Sequence, residues 1–285
     1  MTLAEVVIIG AGTVGSVLAR GLRKAGLAVK LRPLRRGLPK QRVEADLVVL
    51  AVRDDEIAQV ADRLASAGLL GHRRRTVGVV HCAGALGPEV LATLRAPRVA
   101  VAQMHPLLSF ADRQAPPQLR GGYVHVTGDR AACRLATQAC RALEMKSVTI
   151  EGFDLVLYHA AAALLANGAV ALVGSAQAAL ETAGADPDLA GAMLAPLLRS
   201  VAENVARLGL PAALTGPVRR GDLGAVRAHL ARLSAKTPGQ VALYQVLTTA
   251  QVPLARALAA ASSESPNEGA AEKYDAIAQL LSDPR

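Results

Sequence analysis

The chain has 285 residues, 52% of them hydrophobic and 19% charged, which excludes a disordered or fibrous protein and predicts two domains of ordinary size. The net charge is +9, and the basic residues are scattered along the chain apart from runs at residues 32–42 and 72–75. Because only 2% of the residues are aromatic and Trp is absent, we expect no nucleic-acid partner, and the basic excess fits small anionic ligands or a solvated surface. Three cysteines without metal-ligand spacing predict a reducing, cytoplasmic location and no metal site.

The first half of the sequence alternates short apolar runs with helical patterns. This alternation predicts a parallel sheet covered by helices on both faces, a doubly wound α/β domain over residues 1–152. We expect strands at Glu5–Ile9, Ala28–Arg32, Asp46–Ala51, Thr76–His81, Arg98–Gln103, Tyr123–Val126 and Ser147–Ile150. The clearest helices between them are predicted at Thr13–Ala25, Asp54–Ala67 and Arg130–Leu143.

The second half contains no convincing strand, and its helix boundaries are well marked. Asp186 precedes Pro187 and Thr237 precedes Pro238, which is typical of helix starts, and Gly209 is typical of a helix end. Residues 153–285 are therefore predicted to form an all-α domain. Its helices are expected near 153–183, 187–208, 223–234, 238–261 and 270–281, with a polar connection at 262–269.

Residues 155–180 could form either a membrane span or a helix of the helical domain, because they carry no Lys, Arg, Asp or Glu and are long enough to span a bilayer. His159, Asn167 and Gln177 interrupt the segment, and it is dominated by Ala and Gly rather than Leu and Ile. Its insertion into a membrane would therefore be marginal. We favour a buried central helix of the helical domain and expect no membrane partner.

A glycine-rich motif follows the first predicted strand and opens the first helix. Its residues are Gly10, Ala11, Gly12, Thr13, Val14 and Gly15. In this G-x-G-x-x-G spacing, Gly10 permits a tight turn, Gly12 lets the backbone approach a pyrophosphate, and Gly15 allows close helix packing. The helix N-terminus adds N–H groups and a positive dipole. The motif predicts a dinucleotide site.

The end of the second predicted strand bears on the choice of dinucleotide. An acidic residue there binds the ribose 2′-hydroxyl of NAD, whereas an arginine accommodates the 2′-phosphate of NADP. Here Arg32, Arg35 and Arg36 follow the strand, and the first acidic residue is Glu44. This pattern favours NADP(H), with Arg32 as the first candidate for the phosphate, although the arginines are also compatible with a solvated loop.

Two further strand ends are expected to continue the cofactor site. Backbone contacts are predicted at Val52 and Arg53, after the third strand. His81, Ala83 and Gly84 end and follow the fourth strand, where a nicotinamide would lie.

The chain also resembles known families. Its N-terminal half is similar to pyrroline-5-carboxylate reductases, ketopantoate reductases and deazaflavin-linked NADP oxidoreductases. The strings HCAGA at 81–85, HPLLSF at 105–110, YHAA at 158–161 and LTGPVRRGD at 214–222 resemble a narrower family of NADP-oxidoreductase-like Rossmann proteins with a helical C-terminal domain of unknown function. The resemblance implies a Rossmann domain followed by an all-α domain of the 6-phosphogluconate dehydrogenase C-terminal type.

The segment from His105 to Ser109 follows the fifth predicted strand and should face the nicotinamide. His105 is the best-placed group for proton donation, since imidazole supplies a proton near neutral pH. Ser109 is a candidate for substrate binding. The alternative for His105 is a histidine hydrogen-bonded to loop backbone.

The helical domain should supply the remaining polar groups. His159 and Asn167 are eight residues apart, on one face of the uncharged helix. They are predicted to act in catalysis, although pairing with other helices would also satisfy them. Thr215 and Arg220 are predicted to bind a substrate carboxylate.

One departure from the related reductases limits the analogy. Ketopantoate reductases and β-hydroxyacid dehydrogenases carry a catalytic lysine on the corresponding helix, one turn before an asparagine. Here Ala163 is one turn before Asn167, and the helical domain contains only Lys236 and Lys273, neither of them on that helix. A lysine mechanism therefore does not carry over.

The sequence as a whole predicts NADPH-dependent reduction of a small anionic keto- or imino-acid, with a ketopantoate-like substrate as the first to test. The alternative is a catalytically silent NADP-binding sensor or assembly protein, which would keep the glycines but need neither His105 nor Asn167. A homodimer is also expected, because the predicted helix at 187–208 has more apolar surface than one domain covers. That surface contains Leu194, Leu197, Leu198, Val201 and Val205.

Overall fold

The computed structural model describes residues 2–71, 75–262 and 268–282. The chain divides into two compact units, Met1–Asn167 and Gly168–Arg285. The domain boundary expected after residue 152 stays a prediction. Residues 72–74 of the second basic run and residues 263–267 of the expected polar connection lie outside the described residues.

The first unit contains a seven-stranded sheet in the order β2-β1-β3-β4-β5-β6-β7. Its strands are β1 (Glu5–Ile9), β2 (Ala28–Arg32), β3 (Leu47–Leu50), β4 (Val77–His81), β5 (Val99–Pro106), β6 (Tyr123–Gly128) and β7 (Lys146–Val148). All seven predicted strands are confirmed, with ends shifted by a few residues. The sheet is that of a Rossmann-type α/β domain, and the chain after it forms an all-α region.

One pair of strands departs from the predicted parallel sheet, because β5 and β6 pair antiparallel. A parallel neighbour would require a crossover, usually a helix, whereas residues 107–122 form an irregular connection. The fifth strand is also longer than predicted, so His105 lies inside β5, opposite His125 of β6. His105 therefore has the fixed direction of a strand residue rather than that of a loop residue.

Helices cover both faces of the sheet. The helices of the first unit are α1 (Thr13–Lys24), α2 (Ile57–Ser66) and α3 (Arg130–Ala142), with short 3₁₀ turns at Leu34–Arg36, Asp54–Glu56 and Pro88–Leu94. One core packs α1 and α3 against the sheet, and a second core packs α2 and the Pro88–Leu94 turn against the opposite face. Central strands buried on both faces explain the continuous apolar runs in the sequence.

The second unit is helical. The remaining helices are α4 (Leu155–Thr182), α5 (Pro187–Leu208), α6 (Gly216–Arg220), α7 (Leu223–Lys236), α8 (Val241–Ser262) and α9 (Glu268–Ser282). The sequence predicted all of these except α6. The Asp186 side chain accepts a hydrogen bond from the Asp188 N–H group (3.0 Å), which confirms the N-cap predicted for α5.

Helix α4 differs from its prediction. It was expected to be buried, yet none of its residues is buried in the described part of the chain. The helix has 28 residues and contains an 18-residue stretch with a mean hydropathy of 1.8, which is long and apolar enough to cross a membrane by length and composition. Its first turns, however, contact the sheet, because the Tyr158 hydroxyl lies 2.8 Å from Nδ1 of His105 in β5.

Candidate functional site

The glycine motif forms the turn between β1 and α1. Gly10 has a φ of +110°, and a Cβ there would lie 2.1 Å from the Ala51 carbonyl oxygen. A Cβ on Gly15 would lie 2.0 Å from the Gly10 carbonyl oxygen. These two glycines are therefore required by the fold itself.

Gly12 is different, because a Cβ there would meet nothing within 4 Å and would project into open space. That space is a groove of about 440 Å³ lined by the Gly10–Gly12 turn, the Pro33–Arg35 segment and the Ala51–Arg53 turn. Thr13 and Val14 begin α1 beside the same turn. A groove lined by glycine backbone and by the N-terminus of a helix fits the pyrophosphate of a dinucleotide.

Arginines give this groove a positive charge. Arg35, Arg53 and Arg113 line it, with Glu56 as the one acidic lining residue. Arg32 instead donates hydrogen bonds from Nε to the Gly37 carbonyl (2.8 Å) and from Nη2 to the Leu38 carbonyl (2.7 Å). The structure therefore places Arg32 where it holds the loop after β2 and places Arg35 in the groove.

Much of the basic run at residues 32–42 lines a neighbouring groove of about 500 Å³. Its basic residues are Lys30, Arg32, Arg36, Lys40 and Arg42. The two grooves lie on either side of the segment that begins at Pro33, which lines both.

The loop after β4 is held by buried polar side chains. His81 is fully buried, and its Nδ1 accepts a hydrogen bond from the Ala83 N–H group (3.3 Å). The proton is therefore on its Nε2, which donates to the Gly87 carbonyl (3.1 Å). Burial lowers the pKa of His81, which keeps the ring neutral. Both of its ring nitrogens are thus used within the protein, where they hold the loop after β4.

Gln103 in β5 holds the same loop from the neighbouring strand. Its Nε2 lies within hydrogen-bonding distance of the carbonyl oxygens of Ala83 (2.9 Å), Gly84 (3.1 Å) and Leu86 (2.9 Å), and its two N–H groups are shared among these three acceptors. Its Oε1 accepts a hydrogen bond from Nδ1 of His125 (2.8 Å). A fully buried amide with four such contacts fixes the loop against the sheet.

Three side chains meet above Gly84. The Tyr158 hydroxyl lies 2.8 Å from Nδ1 of His105, and the rings of His105 and His159 have centroids 5.8 Å apart. A Cβ on Gly84 would lie 2.9 Å from Nε2 of His105 and 2.4 Å from Nδ1 of His159. Glycine is therefore the residue that leaves room for both imidazoles at this strand end.

The pKa values in this cluster are shifted. Burial, followed by the electrostatic influence of His159, His125 and His81, lowers the pKa of His105 to about 4. Burial raises the pKa of Tyr158 to about 12. At neutral pH the imidazole of His105 and the hydroxyl of Tyr158 are therefore both uncharged.

Beside this cluster lies a mostly apolar pocket of about 660 Å³. His105 and Ser109 line it from the sheet side, and His159 and Asn167 line it from α4. All of these residues belong to the first unit. An apolar cavity with a few convergent polar groups is typical of a small-molecule site.

Thr215 and Arg220 lie in the second unit, at the two ends of α6. Thr215 is its N-cap, and the side chains of both residues are exposed. Asp222 caps α7 by accepting a hydrogen bond from the Ala225 N–H group (3.0 Å), as expected for a structural role. Carboxylate binding by Thr215 and Arg220 stays a prediction.

Sequence reasoning missed three residues that hold the β4 loop or contact His105: Gln103, His125 and Tyr158. Gln103 ends a predicted strand, and His125 interrupts an apolar strand pattern, so both are polar residues at positions that should be buried. Tyr158 is adjacent to His159 but gives no such signal. Among the described residues, no group of three or more His, Cys, Asp or Glu side chains is placed to hold a metal ion.

Comparisons with known proteins agree with this architecture. The domain of unknown function DUF2520 matches residues 123–251, from β6 into α8, whereas the comparison with curated proteins gives no match. Among solved structures, protein TM1727 from Thermotoga maritima is 22% identical, with a TM-score of 0.67 over 88% of this chain and 98% of its own.

Two further structures extend the comparison to oxidoreductases. The NADP oxidoreductase-like protein BF3122 from Bacteroides fragilis is 19% identical, with a TM-score of 0.66 over 87% of this chain and 97% of its own. Pyrroline carboxylate reductase from Plasmodium falciparum, solved with NADP bound, is 14% identical, with a TM-score of 0.55 over 98% of this chain and 99% of its own. The chain thus has the fold of NADP-oxidoreductase-like and pyrroline-5-carboxylate-reductase Rossmann proteins, with a DUF2520 match in its C-terminal part.

Proposed function

We propose that this protein is an NADPH-dependent reductase of a small keto- or imino-acid. The observation that carries the proposal is the placement of two features at one edge of the sheet. The glycine groove lies at the carboxyl ends of β1 and β3, and the His105 pocket lies at the carboxyl ends of β4 and β5. Ligands of open α/β sheets bind at this edge.

NADP(H) is the proposed cofactor. Gly12 leaves space for the pyrophosphate, and Arg35 adds positive charge beside the end of β2. Arg32 orders the loop that carries Arg35, and one Nη atom of its guanidinium is not used in the contacts to Gly37 and Leu38. The pyrroline carboxylate reductase with NADP bound has a similar fold, which supports the choice of cofactor class.

NADPH would supply the hydride to the carbon of a C=O or C=N group. His105 would hydrogen-bond the oxygen or nitrogen of that group and provide its proton. Because its pKa is lowered to about 4, His105 would act as a neutral imidazole donor rather than as an imidazolium ion. The apolar lining of the pocket would exclude water from the reacting carbon.

Asn167 and Ser109 are the polar groups that would orient the substrate, because both line the same pocket as His105. His159 lies beside His105 and would make a further contact with the substrate. Thr215 and Arg220 are proposed to bind a carboxylate. A ketopantoate-like keto-acid remains the first substrate to test.

The proposal is tested by following NADPH oxidation against a panel of small keto- and imino-acids. We expect at least one panel member to be reduced, and His105→Ala to lower turnover by ~10²–10⁴ with nearly unchanged NADPH affinity. Asn167→Ala should instead raise KM more than it lowers kcat. NADPH binding without turnover of any panel member would favour the sensor hypothesis.

A homodimer is part of the same proposal. Helices α4 and α5 expose many large apolar side chains, and soluble proteins rarely leave such surfaces uncovered. Examples are Leu164 (80%), Leu165 (76%) and Val170 (72%) on α4, and Leu197 (60%) and Val201 (51%) on α5. A second copy would bury the same surfaces symmetrically.

A cytoplasmic location is proposed from the free thiols of Cys82, Cys133 and Cys140.

A further inference from the structure

The proposed reaction leaves one question at His105. A neutral imidazole carries a single N–H group, so giving up that proton would leave an unstable anion unless the other ring nitrogen gains a proton. His105 therefore needs a partner at Nδ1 if Nε2 faces the substrate. The geometry supplies one, since the Tyr158 hydroxyl lies 2.8 Å from Nδ1.

The orientation of the ring determines which nitrogen is available. Nε2 lies on the side of Gly84, where a Cβ would be 2.9 Å away, while Nδ1 is engaged by Tyr158. The rings of His105 and Tyr158 meet edge to face, with centroids 5.3 Å apart and planes at 89°. Because His105 lines the pocket and its Nδ1 is engaged by Tyr158, Nε2 is the ring nitrogen left for a substrate.

The direction of the hydrogen bond follows from the surroundings of Tyr158. Its ring packs against Phe153 (5.0 Å between centroids) and His125 (5.7 Å). In the described part of the chain, Nδ1 of His105 is the only hydrogen-bond partner of the hydroxyl. A phenol is a better proton donor than a neutral imidazole, so the hydroxyl donates to Nδ1. His105 then carries its proton on Nε2.

We propose that Tyr158 is a positioning residue that holds His105 in the Nε2–H form and replaces its proton during the reaction. This inference rests on the proposed reductase function. As hydride from NADPH reaches the substrate carbon, the Nε2–H bond breaks and a bond from that proton to the substrate oxygen or nitrogen forms. The O–H bond of Tyr158 breaks and the Nδ1–H bond forms; after product release, water protonates Nε2 and Nδ1 returns its proton to the phenolate, which restores the Nε2–H form of His105 and the hydroxyl of Tyr158.

The proton balance is favourable. The oxyanion formed from a ketone is more basic than a phenolate, so the transfer from Tyr158 through His105 runs downhill. Because the pKa of Tyr158 is raised to about 12, the residue stays protonated between turnovers. The titratable groups around His105 are Tyr158 and His159 on α4, His125 on β6 and His81 on β4.

The chain contains a matched control for this pair. In the second unit, the Tyr244 hydroxyl lies 2.9 Å from Nδ1 of His229, and the two rings also meet edge to face at 83°. This pair has the same local geometry but does not line the pocket beside His105. Tyr244→Phe therefore removes an equivalent hydrogen bond without touching the proposed site.

The experiment is long-range proton–nitrogen NMR on the full-length protein labelled with ¹⁵N at its six histidines. The spectrum of His105→Gln identifies the His105 signals. We expect His105 to be in the Nε2–H form in the wild type, and to become a mixture of both tautomers in Tyr158→Phe but not in Tyr244→Phe. An Nδ1–H form in the wild type, or an unchanged tautomer in Tyr158→Phe, would overturn the inference.

Turnover provides the second measurement. With any reduced panel substrate, Tyr158→Phe should lower kcat about 10- to 100-fold at nearly constant KM, which is less than the ~10²–10⁴ expected for loss of the proton donor itself. Tyr244→Phe should leave kcat unchanged. A wild-type kcat in Tyr158→Phe would exclude proton replacement by Tyr158, even if the tautomer of His105 changes as expected. The tautomer result does not depend on activity, so a failed reductase hypothesis is distinguished from a failed role of Tyr158.

Discussion

Gln103→Leu is the most informative substitution in the sheet, because leucine is of similar size but lacks the amide. The change removes the hydrogen bonds of Gln103 to the carbonyls of Ala83, Gly84 and Leu86, and it leaves Nδ1–H of His125 without its acceptor. Nε2 of His125 is already buried without a partner. The substitution therefore leaves most of this buried network unsatisfied.

The expected loss of stability follows from these groups. The Leu86 contact is only partly buried, so three groups are counted as buried: the carbonyls of Ala83 and Gly84, and Nδ1–H of His125. At the low end of about 1 kcal/mol for each unsatisfied group, the free energy of unfolding falls by about 3 kcal/mol. A difference of that size is roughly a hundredfold change in the unfolding equilibrium.

Hydrogen exchange followed by mass spectrometry measures this change within each unit. Peptides from β4 and β5 should exchange roughly a hundredfold faster in Gln103→Leu, since exchange of core amides follows the free energy of opening. The control is Gln251→Leu in α8, where Nε2 donates a single hydrogen bond to the Leu247 carbonyl (3.2 Å). Exchange in β4 and β5 at the wild-type rate in Gln103→Leu would refute the reasoning.

Three further predictions concern pH, cofactor choice and assembly. Because the pKa of His105 is lowered from 6.5 to about 4, its contribution to stability is complete above pH 6.5 and is lost as the pH falls towards 4. His105→Gln should reduce this pH dependence in urea denaturation, and an identical slope would contradict the burial of His105. NADPH should bind more tightly than NADH. Arg32→Ala should weaken NADPH binding selectively because the loop loses order, and Arg35→Ala should do so because a charge-assisted contact is lost. Equal affinities for both cofactors in calorimetry, unchanged in the two variants, would exclude NADP specificity. Val201→Asp, which places a charge on the exposed apolar face of α5, should convert a dimer to a monomer in sedimentation velocity, whereas a monomeric wild type at micromolar concentration would remove the dimer proposal.

Much of the first unit could be predicted from the sequence, because its signals are local. Strands buried on both faces appear as continuous apolar runs, and the spacing of Gly10, Gly12 and Gly15 marks the turn into α1. The antiparallel pairing of β6 could not be predicted in this way, since strand direction depends on the path of residues 107–122. His105 was consequently expected in a loop.

The candidate site was harder to predict, because its contacts join residues far apart in the sequence. Tyr158 and His105 are separated by 53 positions, and Gln103 and Ala83 by 20. No spacing rule connects such pairs. Arg32 shows a related limit, because its position beside the strand end suggested phosphate binding, whereas its hydrogen bonds to Gly37 and Leu38 depend on the shape of the loop.

The reductase proposal requires the glycine groove and the His105 pocket to form one site for cofactor and substrate. A crystal structure with NADP⁺ bound tests this requirement most directly. We expect the pyrophosphate over Gly12 and the nicotinamide beside Gly84, with Nε2 of His105 and Asn167 close enough to contact a small substrate. A nicotinamide beyond the reach of any small substrate held by His105 and Asn167 would contradict the proposal.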